Sequence, residues 1–369
     1  MTHAVSLDAT RALRMHAQGL TSPRATDVHG VVRSLGGVQA QDWRFAPLAI
    51  RPRSAGLLAV DVDRARDDER SIVWTWAMRG TLHLVAAQDV GWMVGLLGPI
   101  FAAAGRRRRL ALGLDDELCE RVLVAMRAVL VEHGPLTRAE LVRRLAMRGL
   151  RIDPSGQAPA HLVAFAAMQG LICRGTPVGA ETTYVLLDDW LGAPIDAVEP
   201  DRALSELARR YVGAHGPAAS ADFAAWSGLG LRRARRGLEL IAGELRDVST
   251  ADGPAWMLAD ADADADADAP AIPAAHVALL GHFDPYLLGY RSRDLVLDAR
   301  FAKRIQAGGG FIKPAVLAGG RVVGTWRGQR RDSTMTIEVE PFTQLDEDAQ
   351  AGLERERTDL ARFLAAELA

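Results

Sequence analysis

Apolar residues recur along the first part of the chain with two different periods. Between positions 6 and 18, Leu7, Ala12, Leu13, Met15 and Ala17 are spaced as one face of a helix, and positions 25–35 read as a second helix. Positions 60–70 read as a third, with Asp61 or Asp63 at its start. The period then shortens. Ile72-Val73-Trp74-Thr75-Trp76 and Thr81-Leu82-His83-Leu84-Val85 are β-branched and aromatic runs flanking a turn that contains Gly80, which predicts a hairpin.

The same order returns twice, and there it is marked by a repeat. His133-Gly134-Pro135 recurs as His215-Gly216-Pro217, 82 positions later. At that offset Arg127 matches Arg209, and Ala139-Glu140-Leu141 matches Ala221-Asp222-Phe223. Each copy reads as a helix, a Gly-Pro break and a second helix; Thr137 and Glu140 form a capping box that marks where the second begins. A third helical stretch follows, at 158–169 in one copy and 231–245 in the other. Paired extended runs close each unit: 171–174 with 184–187, and 245–248 with 255–258. Helix, turn, helix, helix and hairpin is the order of a winged helix-turn-helix, whose third helix usually enters the DNA major groove.

Beyond an alternating Ala/Asp tract around Asp260 to Asp268 the pattern changes. Short extended runs are predicted at 277–280, 295–297, 315–317, 321–326 and 334–339, with Gly319-Gly320 as a two-residue hairpin signal. A helix over 345–368, carrying Leu353, Leu360, Phe363 and Leu364, closes the chain. The expected fold class is therefore α+β, mainly α. Three tandem winged helix-turn-helix units occupy 1–114, 115–197 and 198–259. An acidic Ala/Asp linker fills 260–271, and a C-terminal antiparallel β region with a terminal helix fills 272–369.

Composition narrows the picture. With 369 residues, 49% of them hydrophobic and 24% charged, there is material for several cores. Two cysteines, Cys119 and Cys173, are too few for a disulfide scaffold or a thiolate metal site, which fits a reducing compartment. The longest apolar stretch, at 85–104, is interrupted by Gln88, Asp89, Gly98 and Pro99, and no secretion signal opens the chain, so no membrane is expected and the location is cytoplasmic, beside the nucleoid. Net charge is −2, yet the positive charge is almost all arginine, gathered at 106–109, at 143–151, at 232–236 and at 327–331. Arginine suits bidentate phosphate contact; it is equally what a coding bias would leave.

Four segments, in order across most of the chain, carry a resemblance. They are LGGVQAQD at 35–42, WTWAMRGTLHLV at 74–85, FDPYLLGYRSRD at 283–294 and KPAVLAGGRVVGTWR at 313–327. Together they resemble the AlkZ/YcaQ-like winged-helix DNA glycosylases. The resemblance implies three tandem winged helices around double-stranded DNA and excision of alkylated bases, with no cofactor. AlkZ-type members act on N7-alkylated purines, interstrand crosslinks included. Their Gln-aliphatic-Gln signature falls on Gln39-Ala40-Gln41; the YcaQ-type branch has Asp at the third position, so Gln41 points to the AlkZ-type branch. Ala40 is small for the middle slot.

The chemistry is coherent with that assignment. A glutamine amide is a very poor base, but it donates and accepts hydrogen bonds and can hold a water against an anomeric carbon. This suffices only for a leaving base that is already activated, as a cationic N7-alkylpurine is. In an extended segment Gln39 and Gln41 face one side and Ala40 the other; in a helix the two amides diverge by about 200°. Asp42 could assist or cap a turn. No lysine lies near the motif in sequence, so a monofunctional enzyme without a Schiff-base step is expected.

Other candidates are weaker. The hairpin at 321–339, with an apparent tip near Gly328, offers Trp326, Arg327, Arg330 and Arg331 for contact with DNA; an ordinary charged turn with Trp326 packed inward reads equally well. His83 suits a half-buried strand position. Asp284 and Tyr290 suit a role in organising the β region, while Arg291 and Arg293 could reach DNA. The histidines show no metal-ligand spacing, and Gly308-Gly309-Gly310 lacks the GK[ST] of a phosphate loop. The competing assignment is a non-catalytic tandem winged-helix regulator. Such regulators usually dimerise, whereas three units in one chain favour a monomer.

Overall fold

The computed structural model describes residues 3–21, 25–196, 198–259 and 271–368. The acidic tract at 260–268, expected as a linker, lies outside them. By compactness the chain forms two units: Met1–Asp63 with Ser205–Ala369, and Arg64–Leu204. The stretch expected as one first winged unit is thus apportioned between both. Its helices Leu7–Ala17 and Val28–Ser34 belong with the C-terminal half, and its hairpin belongs with Arg64–Leu204.

In the first unit, a sheet runs in the order Val277–Leu280, Ala315–Ala318, Arg321–Arg331, Thr334–Pro341, Glu367–Leu368. The first four strands pair antiparallel, and the last joins parallel to Thr334–Met335. Gly319 and Gly320 make the expected two-residue turn, both with positive φ. Alternation along the strands gives the sheet two buried faces. Ala278, Leu280, Ala315 and Leu317 point into one core with Met15 and Leu20 of the N-terminal segment. Val277, Leu279 and Val316 point into the other with Leu48 and with Leu353 and Leu360 of helix Glu347–Phe363. Positions 295–297 are not extended: the Val296 and Leu297 amides both donate to the Arg293 carbonyl, at 2.9 and 2.8 Å, and the turn plugs both side chains into the core.

The third repeat belongs to this unit. Helices Pro200–His215, Ser220–Ser227 and Leu231–Leu240 are followed by the hairpin Leu245–Thr250/Gly253–Leu258. The His3–Ala4 strand joins that hairpin in parallel. The repeat offset carries into the caps. Glu140 accepts from the Thr137 amide at 2.9 Å, and Asp222, 82 positions on, accepts from the Ala219 amide at 3.0 Å.

Two polar clusters tie the N-terminal segment to the rest of this unit. Arg53 donates to both oxygens of Asp284, at 2.7 and 2.8 Å, and also to the Ala49 carbonyl and Gln18 Oε1. Arg14 lies 3.9 Å over the Tyr290 ring and donates to the Pro217 carbonyl, while the Tyr290 hydroxyl donates to the His215 carbonyl. Asp284 and Tyr290 therefore organise more than the β region.

In Arg64–Leu204 the strands Leu82–Ala86, Ile72–Trp76, Ile172–Val178, Glu181–Leu186 and Leu136–Thr137 lie side by side, all antiparallel. Helices Asp116–His133, Arg138–Met147 and Ala158–Met168 cover a core of Val122, Met126, Leu141, Leu145, Leu162 and Ile172. The apolar stretch does not break at Gly98-Pro99. Helix Val90–Ala111 runs through both, and residues 87–111 are long and apolar enough to cross a membrane. Its buried side is that of a core helix: Met93, Val94, Leu97 and Ala102 are inside, and a Cβ at Gly98 would collide with the Met168 carbonyl.

His83 is fully buried opposite Thr75, with Nδ1 2.9 Å from the Thr81 carbonyl. Burial, helped by the Arg79 charge, pushes its pKa down to about 3. Because the unfolded chain binds this proton first, His83 removes stability as pH falls from about 6.5 to about 3, at about 1.4 kcal/mol per pH unit. Denaturant titrations across that window will show a shallower acid loss for His83→Gln than for the wild type. Asp284→Ala strands the buried Arg53 and will cost roughly 3–5 kcal/mol in the same measurement.

Candidate active site and nucleic-acid contacts

The Gln39-Ala40-Gln41 segment begins where helix Val28–Ser34 stops. Gly36 and Gly37 follow with φ of 68° and 119°, which turns the chain into the short strand Val38–Gln39. At Gly36 the left-handed φ is what disfavours a side chain, since a Cβ there would only touch Arg210 and the Trp226 ring at 3.4 Å. Burial then alternates: Val38 and Ala40 are 0% exposed, Gln39 is half-buried and Gln41 is exposed. Alternation of this kind belongs to an extended backbone and turns the two glutamines away from the core that takes Ala40. The small side chain of Ala40 fits that fully enclosed position.

Asp42 closes the segment as a cap. It accepts from the Arg44 amide at 3.0 Å, at the start of the single turn Trp43–Phe45, and its two oxygens are gripped by the Arg44 guanidinium. That hydrogen bonding holds the Asp42 carboxyl below the usual carboxylate range. An ionised carboxylate committed to an arginine is a weak base. Trp43 donates to Asp63 at 3.0 Å, which fixes the turn on its other side.

Phe45 leads from this turn to a set of rings that the sequence had not brought together. Its ring centroid is 4.1 Å from that of His282, which is 5.0 Å from that of Phe311. His282 Nδ1 lies 3.2 Å from the Ile312 carbonyl, and burial lowers its pKa although Asp42 nearby pulls the other way. Phe311 remains 39% exposed. It follows Gly308-Gly309-Gly310, three consecutive glycines with positive φ. Lys313, remote in sequence, lies within electrostatic reach of His282. The sequence distance between lysine and motif is therefore no guide to their separation.

The hairpin places its four candidates differently from one another. Its turn is at Asp332-Ser333, not near Gly328, which sits mid-strand opposite Ile337. Trp326 is 7% exposed, packs with Leu279, Val316 and Ile337, and donates from Nε1 to the Leu280 carbonyl at 2.8 Å. Arg327 is exposed but paired with Glu338 at 2.7 Å. Arg330 donates to the Asp332 and Leu364 carbonyls at 2.9 and 3.0 Å, the latter just past the end of the terminal helix. Arg331, exposed at the last pair before the turn, is alone among the four in having a side chain with no ion pair or hydrogen bond among the described residues.

Cations are presented more openly elsewhere. Helix Leu231–Leu240 buries Ala234, Gly237 and Leu238 and leaves Arg232, Arg233, Arg235 and Arg236 exposed. The sequence displayed this cluster, but nothing in it separated the cluster from Arg106 and Arg109, which are structural. Arg106 pairs with Asp116; Arg109 is buried over the Phe165 ring. The corresponding helix of the second repeat, Ala158–Met168, has no basic residue but His161 and is mostly buried. Arg291 is exposed, whereas Arg293 is half-buried, with burial lowering its pKa. Trp326→Ala will lower stability by roughly 3–5 kcal/mol, read from denaturant unfolding. A tryptophan acting as a DNA wedge would instead weaken binding with stability unchanged.

Comparisons with known proteins identify the family. A family model described as DNA glycosylase AlkZ-like matches residues 32–363, which include the glutamine segment and both hairpin strands. An interstrand DNA cross-link repair glycosylase from Streptomyces sahachiroi is 31% identical over 366 residues, covering 96% of this chain and 94% of that protein. The solved structure of the Streptomyces sahachiroi DNA glycosylase AlkZ superposes with a TM-score of 0.82 at 28% identity, covering 99% of each chain. With the match extending over nearly its whole length, the chain belongs to the AlkZ-like DNA glycosylase family.

Proposed function

We propose that this chain is a monofunctional DNA glycosylase that hydrolyses the N-glycosidic bond of cationic N7-alkylated purines, interstrand crosslinks among them. The observation that carries the reading is the alternation at 38–41, with Ala40 enclosed and Gln39 and Gln41 turned outward. In this reading the two amides hold one water against C1′ of the damaged nucleotide. The water oxygen bonds to C1′, the C1′–N9 bond breaks with its electron pair passing to the base, and the water's proton leaves to solvent. The purine departs neutral because its positive charge is cancelled by those electrons. A general acid is unnecessary, and undamaged bases, which would depart as anions, are left alone.

The cross-link activity in the name of the Streptomyces sahachiroi relative supports crosslinks as substrates here. Three tandem winged helices, at 1–114, 115–197 and 198–259, are the proposed DNA-binding frame, followed by the linker at 260–271 and the β region at 272–369. Helix–helix–helix–hairpin order in the second and third stretches supports this. Arg331 and the arginines of Leu231–Leu240 are the cations best placed for phosphates, ahead of Trp326, Arg327 and Arg330. The protein acts as a monomer on double-stranded DNA, in the cytoplasm beside the nucleoid.

Incubation with a duplex containing one N7-methylguanine will yield an abasic site. Gln39→Ala and Gln41→Ala will each slow single-turnover release about 100-fold, the cost of losing a positioned water. Undiminished release by both variants would remove the glutamines from the site. No release by the intact protein from any N7-alkylated substrate would leave a DNA-binding protein without catalysis.

A further inference from the structure

The Arg64–Leu204 unit holds a cleft of about 810 Å³ that the proposed excision chemistry does not use. Its walls come from helix Arg138–Met147, the loop at 151–154 and the paired strands Ile172–Val178 and Glu181–Leu186. Four arginines line it: Arg138, Arg143, Arg151 and Arg174. Among the described residues none of the four side chains makes a hydrogen bond or an ion pair. The nearest carboxylate to Arg143 along its helix, Glu140, is committed to the Thr137 amide and hydroxyl at 2.9 and 2.8 Å. Glu181, the one acid lining the cleft, is not in ion-pair contact with any of them.

Arg174 sets the character of the site. The sheet aligns Leu84, Trp74, Arg174, Tyr184 and Leu136 in one row across five strands. Every neighbour of Arg174 in that row is buried and apolar or aromatic. Its guanidinium lies 4.6 Å from the Trp74 ring centroid, 5.5 Å from Trp76 and 5.4 Å from Tyr184. Stacking on rings orients a guanidinium without consuming its N–H donors. Burial also pushes its pKa down, the mark of a partly desolvated cation for which a bound anion would compensate. A cation whose only role was to cover Trp74 would need no further arginines converging on the same space.

We infer that this cleft binds a nucleotide phosphate, with the guanidiniums of Arg138, Arg143, Arg151 and Arg174 around its oxygens. Val142, Ile152, Pro154 and Pro159 supply an apolar wall for the attached sugar or base. The volume suits a nucleotide, since small-ligand sites span roughly 300–1,000 Å³. Phosphate in a DNA strand and phosphate on a free nucleoside monophosphate share this chemistry, and the test separates them.

The test uses the full chain, with Arg143→Gln/Arg151→Gln as the principal variant because both lining residues are exposed, one on a helix and one in a loop. Titration of the wild type with thymidine monophosphate at low salt, followed by fluorescence of the tryptophans beside Arg174, will saturate; the variant will bind at least tenfold more weakly. Binding of an undamaged duplex, measured by anisotropy across a salt series, will show a log Kd against log salt slope smaller by about 1 in the variant if the phosphate is that of DNA. An unchanged slope with a lost nucleotide titration assigns the site to free nucleotides. No titration by the wild type together with an unchanged slope overturns the inference. Arg174→Gln is a second variant, and if it fails to fold the first decides alone. Neither readout involves base excision, so the outcome is independent of Gln39 and Gln41.

Discussion

The buried pair between Arg53 and Asp284 anchors one side of the glutamine segment. Both side chains are withdrawn from water, and a charge in that position is costly unless its hydrogen-bonding capacity is met. Here it is nearly met: Arg53 spends its terminal nitrogens on the two Asp284 oxygens, the Ala49 carbonyl and Gln18, leaving only Nε without a partner. Asp284 in turn caps the short helix Pro285–Leu288 through the Tyr286 amide. The pair therefore locks the end of the N-terminal segment to the C-terminal half of the chain. Residues 38–45 are held between that lock and the Gly36-Gly37 turn, so their geometry is determined from both sides.

Arginine is the common structural element here, which is why charge patterning alone was ambiguous. Arg11, Arg14, Arg51 and Arg53 are all buried. Arg51 reaches the Leu279 carbonyl and pairs with Glu356 and Asp359, so a strand edge and the terminal helix meet on one side chain. Each joins segments more than 200 positions apart in the chain. A cluster of arginines in sequence says nothing about which of them will be consumed in this way. An exposed carboxylate, as at Arg327, or helix-end carbonyls, as at Arg330, compete with DNA phosphate for a cation.

What the sequence made legible follows the same division. Features fixed by local rules were readable, namely the Thr137–Glu140 cap and the Gly319-Gly320 turn, whereas the backbone at 39–41 was left open between strand and helix. Features fixed by a distant partner were not. Trp326 looks like a hairpin-tip aromatic until the strand is seen to continue to Arg331 and to bury the ring against Leu280. The hairpin at 72–86 has ordinary strand patterning, and nothing in its residues says that it packs with 172–186 rather than with helix Leu7–Ala17. His282 and Phe311 are separated from Phe45 by more than 230 residues, and no periodicity links them. The family resemblance located the glutamines, but the rings beside them came only from three dimensions.

Those rings bear on why a site without a general base can suffice. The proposed substrate arrives with a full positive charge on the purine, and any cation fixed close to it would oppose binding. Burial keeps the pKa of His282 below the ordinary value, so the ring is neutral at physiological pH, while Lys313 lies within its electrostatic reach. Asp42 stays ionised because Arg44 grips it, and the pair as a whole carries no net charge. The segment thus offers neutral amides beside a neutral histidine and an internally balanced ion pair. In the proposed reading, neutral amides of that kind do not activate water strongly enough to attack an intact nucleotide. On the proposed function, selectivity for damage resides in the leaving group, and the protein's contribution is to hold a water where the bond is already weak.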